Sequence, residues 1–586
     1  MDVVEKHEPA KSHPAVTASL RPDARGYCEP QPTTCRLGIL YISVVWNRLL
    51  QESYMQRAVI TCFTVLVASL GVSRPGVAAA PESARRSVRV MINWDEQSLW
   101  RAQLTMRQRN NQPLDAPSVQ QVLETAVDEH ARAGVDRMVY CAWARFASPV
   151  PGFKSCEYDK SIVEISPGFD KLHATGTDQV AILLDRCRQR GMQFLVCLRM
   201  NDRHGAAQKA KFYVENPQLR LAGYPGGLDY KYQEVRAGVL AFIKEVLDRY
   251  DVDGIELDYL RWCHMFRSEE AASNAHLLTE MTRRARALVD AAAKKRGRKK
   301  LLLSARVPQT FAECQRLGFD ITAWVQEGLL DYICPSDFFH ADFNMRVARF
   351  VELCRGTECK VFPAIHPLIQ VNHPDNITLE NYRALARSYY AAGADGIATY
   401  NYQYNWRRWT GGDRGLADGW PKTLAWMGQL RDPDDAAINA KPRHYLFYPL
   451  WQIYSPSGAV KYERIVFARQ DGKQGDALTF RLYEQNAGPS RKVTMQFRAL
   501  GLGPDDQLAI VVNGHRVPDE AIEVTFDKDG RGPREGRPCG PFHLHQFSLP
   551  QEWLKAGANR LAVHLARQSD QGGKEIVVKE IEVRVE

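Results

Sequence analysis

At 586 residues the chain exceeds what one hydrophobic core usually serves, so two or three domains are expected. Its 45% apolar and 25% charged residues, with mean hydropathy −0.37, are the composition of a soluble globular protein. A net charge of +9 over this length is mild, and nucleic acid is not the expected partner. The densest basic run, Lys294-Lys295-Arg296-Gly297-Arg298-Lys299-Lys300, falls between a helical and a strand pattern and reads as a solvated loop.

The first eighty residues do not read as fold. Met55-Gln56-Arg57 supplies a start and a positive charge, Ala58 to Val72 is an apolar run, and Ala78-Ala79-Ala80 offers small residues for cleavage before Pro81. That is the anatomy of a secretory signal, and the run is too short for a comfortable membrane span. The expected division is therefore an N-terminal extension or mis-called start (1–54) and a signal peptide (55–80), with export to the periplasm or exterior and no stable membrane insertion afterwards. Ten of the thirteen cysteines lie beyond the signal. Export permits disulfides, and Cys354 and Cys359 are close enough in sequence to be a candidate pair. Cys197 and Cys334 sit in apolar strand-like runs, where a buried thiol is expected. No CxxC framework or zinc signature is present.

From Ser87 to about Leu430, short apolar runs alternate with longer amphipathic stretches. Strands are predicted at Val88–Asn93, Arg137–Ala142, Gln193–Leu198, Gly254–Tyr259, Leu301–Val307, Tyr332–Pro335, Lys360–Ile365 and Gly396–Tyr400. Helices are predicted between them at Ser118–Ala133, Asp178–Arg190, Glu234–Arg249, Glu269–Lys295, Ile321–Glu327, Met345–Cys354 and Leu379–Ala392, with Lys422–Arg431 after the last strand. Such alternation argues for a parallel sheet buried on both faces. Eight repeats over this span suit an α/β fold of the (β/α)8 TIM-barrel type over residues 86–432. An open doubly wound sheet is the alternative, but no glycine-rich phosphate fingerprint follows the first strand.

The grammar changes after Pro433. Residues 443–586 carry period-two patterns at Leu478–Tyr483, Val493–Ala499, Leu508–Val512, Arg560–Leu565 and Ile576–Val585, separated by turns such as Asn513-Gly514. An all-β sandwich of jelly-roll type is expected there. The pieces from Leu508 to His515 and from Gly557 to His564 resemble galactose-binding-like modules attached to polysaccharide enzymes. A packing module without a ligand fits them equally.

The most informative segment is Val252-Asp253-Gly254-Ile255-Glu256-Leu257-Asp258-Tyr259-Leu260-Arg261-Trp262. Side chains alternate along a strand. If Ile255 and Leu257 face the outer helices, Glu256 and Asp258 face the interior, with Asp258 near the carboxyl end where barrels place their chemistry. Glu256 lies one layer deeper and needs a partner, for which Arg199 and Arg306 are the natural candidates.

This DG-x-acid-x-D strand resembles that of many glycoside hydrolase barrels, and most nearly the glycosyl-hydrolase-like 10 group. Ala305-Arg-Val-Pro-Gln-Thr310, with Gly318 through Ile333, resembles the fifth strand, helix and sixth strand of barrel proteins of environmental bacteria. The resemblance covers about residues 86–430. It implies an exported carbohydrate-active barrel; some members of the wider group act on bacterial cell-wall glycan. Chitinase-type barrels use DG-x-D-x-D-x-E, whereas the corresponding positions here are Glu256, Asp258 and Leu260. The proton donor of that mechanism is absent.

Glycosidic cleavage normally needs two carboxyl groups. Asp258 is the first candidate, Asp337 after the sixth strand the second, and Glu256 the third; Asp202 and Asp95 are weaker, and a capping role fits a lone Asp after a strand. Asn93, Arg199, Asp202, His204, Arg261, His264, Arg306, His340, His366, Tyr400 and Asn401 are placed at strand ends, where they could bind hydroxyls or secure loops. Arg261 suits an anionic group. Trp94, Trp143, Trp262, Trp406 and Trp409 are predicted near the same mouth, to stack on sugar rings or to pack beneath loops. No cofactor and no metal are expected, because the histidines and carboxylates lack ligand spacing. The leading expectation is hydrolysis of O-glycosyl bonds in an extracytoplasmic polysaccharide. A non-catalytic carbohydrate-binding barrel is the alternative, and a metal-dependent deacetylase the third.

Overall fold

The computed structural model describes residues 87–586 except 95–97, 145, 161–165, 203–208, 225, 261, 339, 370–375, 403–423, 435, 440–441, 452–459, 462–463, 470–476, 485–490 and 531–539. The proposed extension and signal peptide lie outside the described residues.

Nine parallel strands form one curled sheet: β1 (Val90–Trp94), β2 (Arg137–Ala144), β3 (Gln193–Arg199), β4 (Gly254–Asp258), β5 (Leu302–Pro308), β6 (Tyr332–Ser336), β7 (Lys360–Val361), β8 (Ala364–Ile365) and β9 (Ile397–Tyr400). Their order is β8-β9-β1-β2-β3-β4-β5-β6-β7. Strands β7 and β8 are two halves of the predicted seventh strand. Pro363 between them has no N–H to give; β7 pairs with β6 and β8 with β9.

Helices cover the outer face, and Asp side chains start several of them. Asp115 accepts from Ser118 N at 3.0 Å before Ala116–Arg132, and Asp178 from Ala181 N at 3.0 Å before Gln179–Gln189. The predicted helices appear, with Glu269–Lys295 shortened to Ala275–Lys295 and Lys422–Arg431, partly outside the described residues, to Trp426–Gln429. Ser98–Arg109 and Phe311–Arg316 are additional helices. The apolar residues divide between two cores. Met91, Val139, Cys141, Leu195, Cys197, Cys334, Phe362, Ala364 and Ala398 pack inside the curl, with the other buried apolar side chains in a second cluster. Cys197 and Cys334 are buried free thiols as expected; Cys354 and Cys359 are also free thiols here, not a disulfide.

The N-terminal edge of the sheet repeats one device. Asp136, Asp253, Asp331 and Asp395 each stand just before β2, β4, β6 and β9, and each accepts backbone N–H groups from the strand before. Asp136 takes Arg89 N (2.8 Å) and Val90 N (3.1 Å), Asp253 takes Phe194 N (2.9 Å), Asp331 takes Leu303 N (2.7 Å), and Asp395 takes Val361 N (2.9 Å). Each has a cation as well: Arg431, Arg298, Arg286 and Lys360 respectively. Orphan donors at the edge of a curled sheet are thereby satisfied.

Residues 443–585 form two larger antiparallel sheets. In one, Glu575–Val585 pairs with Arg443–Phe447, Arg464–Ala468 and Val493–Leu500, and Phe542–Ser548 joins Val493–Leu500 to Glu523–Asp527. The other runs Leu478–Leu482, Gly557–Arg567, Gln507–Val512, His515–Arg516. This part grips the helical layer: Asn381 Nδ2 donates to His444 O at 2.6 Å, and Asn344 Nδ2 to Thr479 O at 2.7 Å.

Asp253→Ala would strip Phe194 N and Arg298 of a buried acceptor, so the unfolding free energy should fall by about 2–3 kcal/mol. Urea denaturation monitored by far-UV circular dichroism reads this directly; a midpoint equal to the parent's would mean that the clamp contributes nothing.

Candidate functional site

The parallel register sets Arg199 beside Asp258 and Asp258 beside Arg306. All three point into the curl at the carboxyl ends of β3, β4 and β5. Arg306 donates to Asp258 through Nε (Oδ1, 2.8 Å) and Nη2 (Oδ2, 3.3 Å), and Leu260 N also donates to Oδ1 at 3.0 Å. The Tyr400 hydroxyl donates to Asp258 Oδ2 at 3.4 Å and receives Arg199 Nη2 at 3.0 Å. Arg199 Nη1 reaches Asp202 at 2.8 Å. The Arg306 guanidinium lies over the Tyr400 ring, 3.6 Å from its centroid, and its Nη1 contacts Ser336 Oγ (3.1 Å) and His366 Nε2 (3.3 Å). Burial works against both arginine cations. For Arg306, Asp258 more than offsets it; for Arg199, Tyr400, Asp202 and Asp258 do so together, and both stay above the usual arginine value.

Asp337 follows Ser336 at the end of β6. Its Oδ1 accepts from His340 N and interacts with His340 Nδ1, each at 2.9 Å, and its Oδ2 accepts Gln309 Nε2 at 2.9 Å. Asp258 is 1% exposed and Asp337 0%. Both carboxylates are sealed, and Asp258 is tied to an arginine.

Glu256 lies one layer below. It does not take Arg199 or Arg306 as its hydrogen-bond partner, because the register spends those groups on the layer above. Instead it receives Asn93 Nδ2, the Tyr332 hydroxyl at 3.2 Å and Ser304 Oγ at 3.4 Å. Burial first, and then the Asp258 charge, push its carboxyl up to about 7, against the pull of Arg306 and these donors.

Several predicted site residues stand elsewhere. Trp143 is not at the mouth. A bulge in the β2–β3 register between Cys141 and Trp143 turns the indole to the outer face, where it stacks on Phe242 (5.6 Å) under helix Gln233–Arg249. His264 stacks on Tyr224 at 3.9 Å. Asn401 adopts φ +51° and donates its backbone N–H to Asn93 O at 3.0 Å, a turn role. Trp94 contributes backbone to β1; its side chain and His204, Arg261, Asp95, Trp406 and Trp409 lie outside the described residues. Trp262 has φ +83°, a conformation a bulky residue holds only under constraint, at a cost of about 1–3 kcal/mol. Its ring meets Phe338 edge-on at 5.8 Å.

Gln309, Ser336, Tyr332 and Ser304 were not anticipated. Alternation along β5 and β6 places Ser304, Tyr332 and Ser336 on the inner face, so that signal was available. Gln309 lies beyond its strand, where alternation says nothing. Among the described residues no group of three or more His, Cys, Asp or Glu could hold a metal ion.

No protein-family model matches this sequence, and no curated protein matches it. Among solved structures the fold is similar to α-L-fucosidase isoenzyme 2 from Paenibacillus thiaminolyticus (TM-score 0.38, 13% identity, covering 59% of this chain and 49% of that one). It is similar to the PgaB (BpsB) glycoside hydrolase domain from Bordetella bronchiseptica (0.37, 10%, 59% and 100%) and to the chitobiase FjGH20 from Flavobacterium johnsoniae (0.35, 12%, 60% and 50%). All three are glycoside hydrolases. The chain spans about half the length of the fucosidase and of the chitobiase.

Unfolded Glu256 releases its proton near 4.5 and folded Glu256 near 7. Between those values the folded state holds more protons, so raising the pH favours unfolding, by about 3 kcal/mol in all from this group. Urea midpoints taken from pH 4 to pH 8 should fall more steeply in the parent than in Glu256→Gln. Parallel curves would show that Glu256 ionises as an ordinary carboxyl.

Proposed function

We propose that the protein is a glycoside hydrolase of the glycosyl-hydrolase-like 10 type, acting on an extracytoplasmic polysaccharide with Asp258 and Asp337 as its carboxyl pair. In this reading the curled sheet is a (β/α)8 barrel, with β7 and β8 together as its seventh strand. The antiparallel sheets from residue 443 onward form a sandwich that serves as an accessory domain. The apolar run from Ala58 to Val72 supports export.

The observation that carries the reading is the convergence of Asp258, Asp337 and their partners at the carboxyl ends of β3 to β9. Carboxylates, guanidinium groups and hydrogen-bonding side chains meet at this end of the sheet. Preorganised dipoles and ions in a dry site are what charge development at a glycosidic carbon requires. In this reading Asp258, bracketed by two guanidinium groups, answers that developing positive charge, and Asp337, with His340 and Gln309, handles the proton of the leaving or attacking oxygen.

The burial of both carboxylates favours a second reading, a barrel that binds glycan without cleaving it. Incubating the purified full chain with a glycan panel separates the two, because only the enzyme accumulates reducing ends. With a cleaved glycan in hand, Asp258→Asn and Asp337→Asn should each lower turnover by about 10³-fold or more. Retained circular dichroism excludes unfolding, a real hazard once Arg306 loses its counter-charge. Undiminished turnover in Asp258→Asn would remove it from the mechanism, and binding without products from any glycan would leave the second reading.

A further inference from the structure

The opposite, N-terminal end of the sheet holds a cavity of about 380 Å³ between the starts of β1, β2, β5, β6 and β7. On its wall sits Arg137, the first residue of β2, which is 5% exposed. Its guanidinium lies 4.4 Å from the Tyr332 ring centroid and 5.5 Å from that of Phe362. Its Nε donates to Gln193 Oε1 at 2.8 Å, and Nη1 meets only the Met91 sulfur at 3.9 Å. Among the described residues Nη2 makes no hydrogen bond, and no carboxylate pairs with this cation. A guanidinium this deep without a counter-anion is expensive.

The acids nearby are otherwise engaged. Asp331 serves Leu303 N, Arg286 and Lys300, while Asp395 serves Val361 N and Lys360. Glu256 sits one layer higher and ends on the Tyr332 hydroxyl. Arg89, Lys300 and Lys360 stand on the cavity rim with Asp331, Asp395 and Glu358, so with Arg137 the lining holds four cations against three acids. Val88, Leu302 and Phe362 supply an apolar wall. The volume exceeds what a single water or chloride needs.

We propose that this cavity binds a small molecule through an oxyanion group, a carboxylate or a phosphate, whose oxygens pair with Arg137 and are drawn in by Lys300 and Lys360. The arginine lies over the Tyr332 ring and beside that of Phe362, so its free edge is pre-set for a planar or tetrahedral oxyanion. The site is distinct from the Asp258 cluster at the other end of the strands, and it stands whether or not that cluster hydrolyses glycan.

The test is calorimetric titration of the full chain with inorganic phosphate, acetate and glucuronate, in a zwitterionic buffer at constant ionic strength. Saturable binding of at least one of them is expected. Phosphate alone would identify a phosphoryl site, and the carboxylates alone an acid site. Arg137→Gln should weaken binding by about tenfold or more, and Lys300→Met by a few-fold, since charge-assisted pairs dominate such contacts. Asp258→Asn should leave it unchanged. Lys300 and Lys360 are exposed at the rim, so Lys300→Met and Lys360→Met decide the matter if Arg137→Gln does not fold. Absence of saturable binding in the parent chain, or affinity unaltered by these substitutions, would overturn the proposal.

Discussion

One row of charges governs the site: a carboxylate on β4 with a guanidinium on each neighbouring strand. The parallel register makes Arg199, Asp258 and Arg306 neighbours, and the period of two turns all three inward. Sliding any of the three strands by one residue would send its charge to the outer face among apolar helices. Taking such groups out of water is costly, and only near-ideal geometry with every donor used offsets the loss. The fork from Arg306 to Asp258, the stack on Tyr400 and the link from Arg199 to Asp202 supply that geometry. The row is thus a poor device for stability and a good one for fixing a carboxylate in one orientation.

What lies beneath separates the row from the charges at the other end of the strands. Below the row come Glu256, held by an amide and two hydroxyls, and the thiols Cys141 and Cys197. With its carboxyl pushed up to about 7, Glu256 retains much of its proton at neutral pH, and a mostly neutral layer separates the Asp258 row from Arg137 below. The two ends of the same strands can then carry different chemistry without direct pairing between them.

The strand pattern was legible because each strand is short, apolar and bounded by glycine or a capping acid, and the predicted segments match the observed ones within a residue or two. Pro363 is visible in the sequence, yet the division of the seventh strand shows only when its two halves are seen to pair with different neighbours. Helix Ser98–Arg109 escaped notice because, among its described side chains, only Trp100 and Leu104 are buried, too few to establish a period. Phe311–Arg316 carried a usable signal, the Thr310 and Glu313 spacing of a capped start, with Thr310 accepting Glu313 N at 3.2 Å. Within the site, alternation correctly turned Glu256 and Asp258 inward. It could not say which arginine belongs to which acid, since that depends on register between strands distant in sequence. Trp143 was misplaced for a related reason. One bulged residue reverses the alternation, and nothing in the local sequence announces it.

Asp337 depends on a support of another kind. Asp258 is fixed by its own strand, but Asp337 begins the segment between β6 and helix Val347–Cys354, where a single bridge from His340 to Leu368 pairs the described backbone. Gln309, just beyond β5, and His340 grip its carboxylate from within. Further along the same segment, Asn344 is pinned from outside. Its side chain donates to Thr479 O, and Arg481 donates to its Oδ1 at 2.8 Å and to its backbone oxygen at 3.2 Å. Both partners belong to the antiparallel strand Leu478–Leu482. The C-terminal sheets therefore brace the segment that follows the second carboxylate. That mechanical role gives them a place in the site whether or not they bind a ligand of their own.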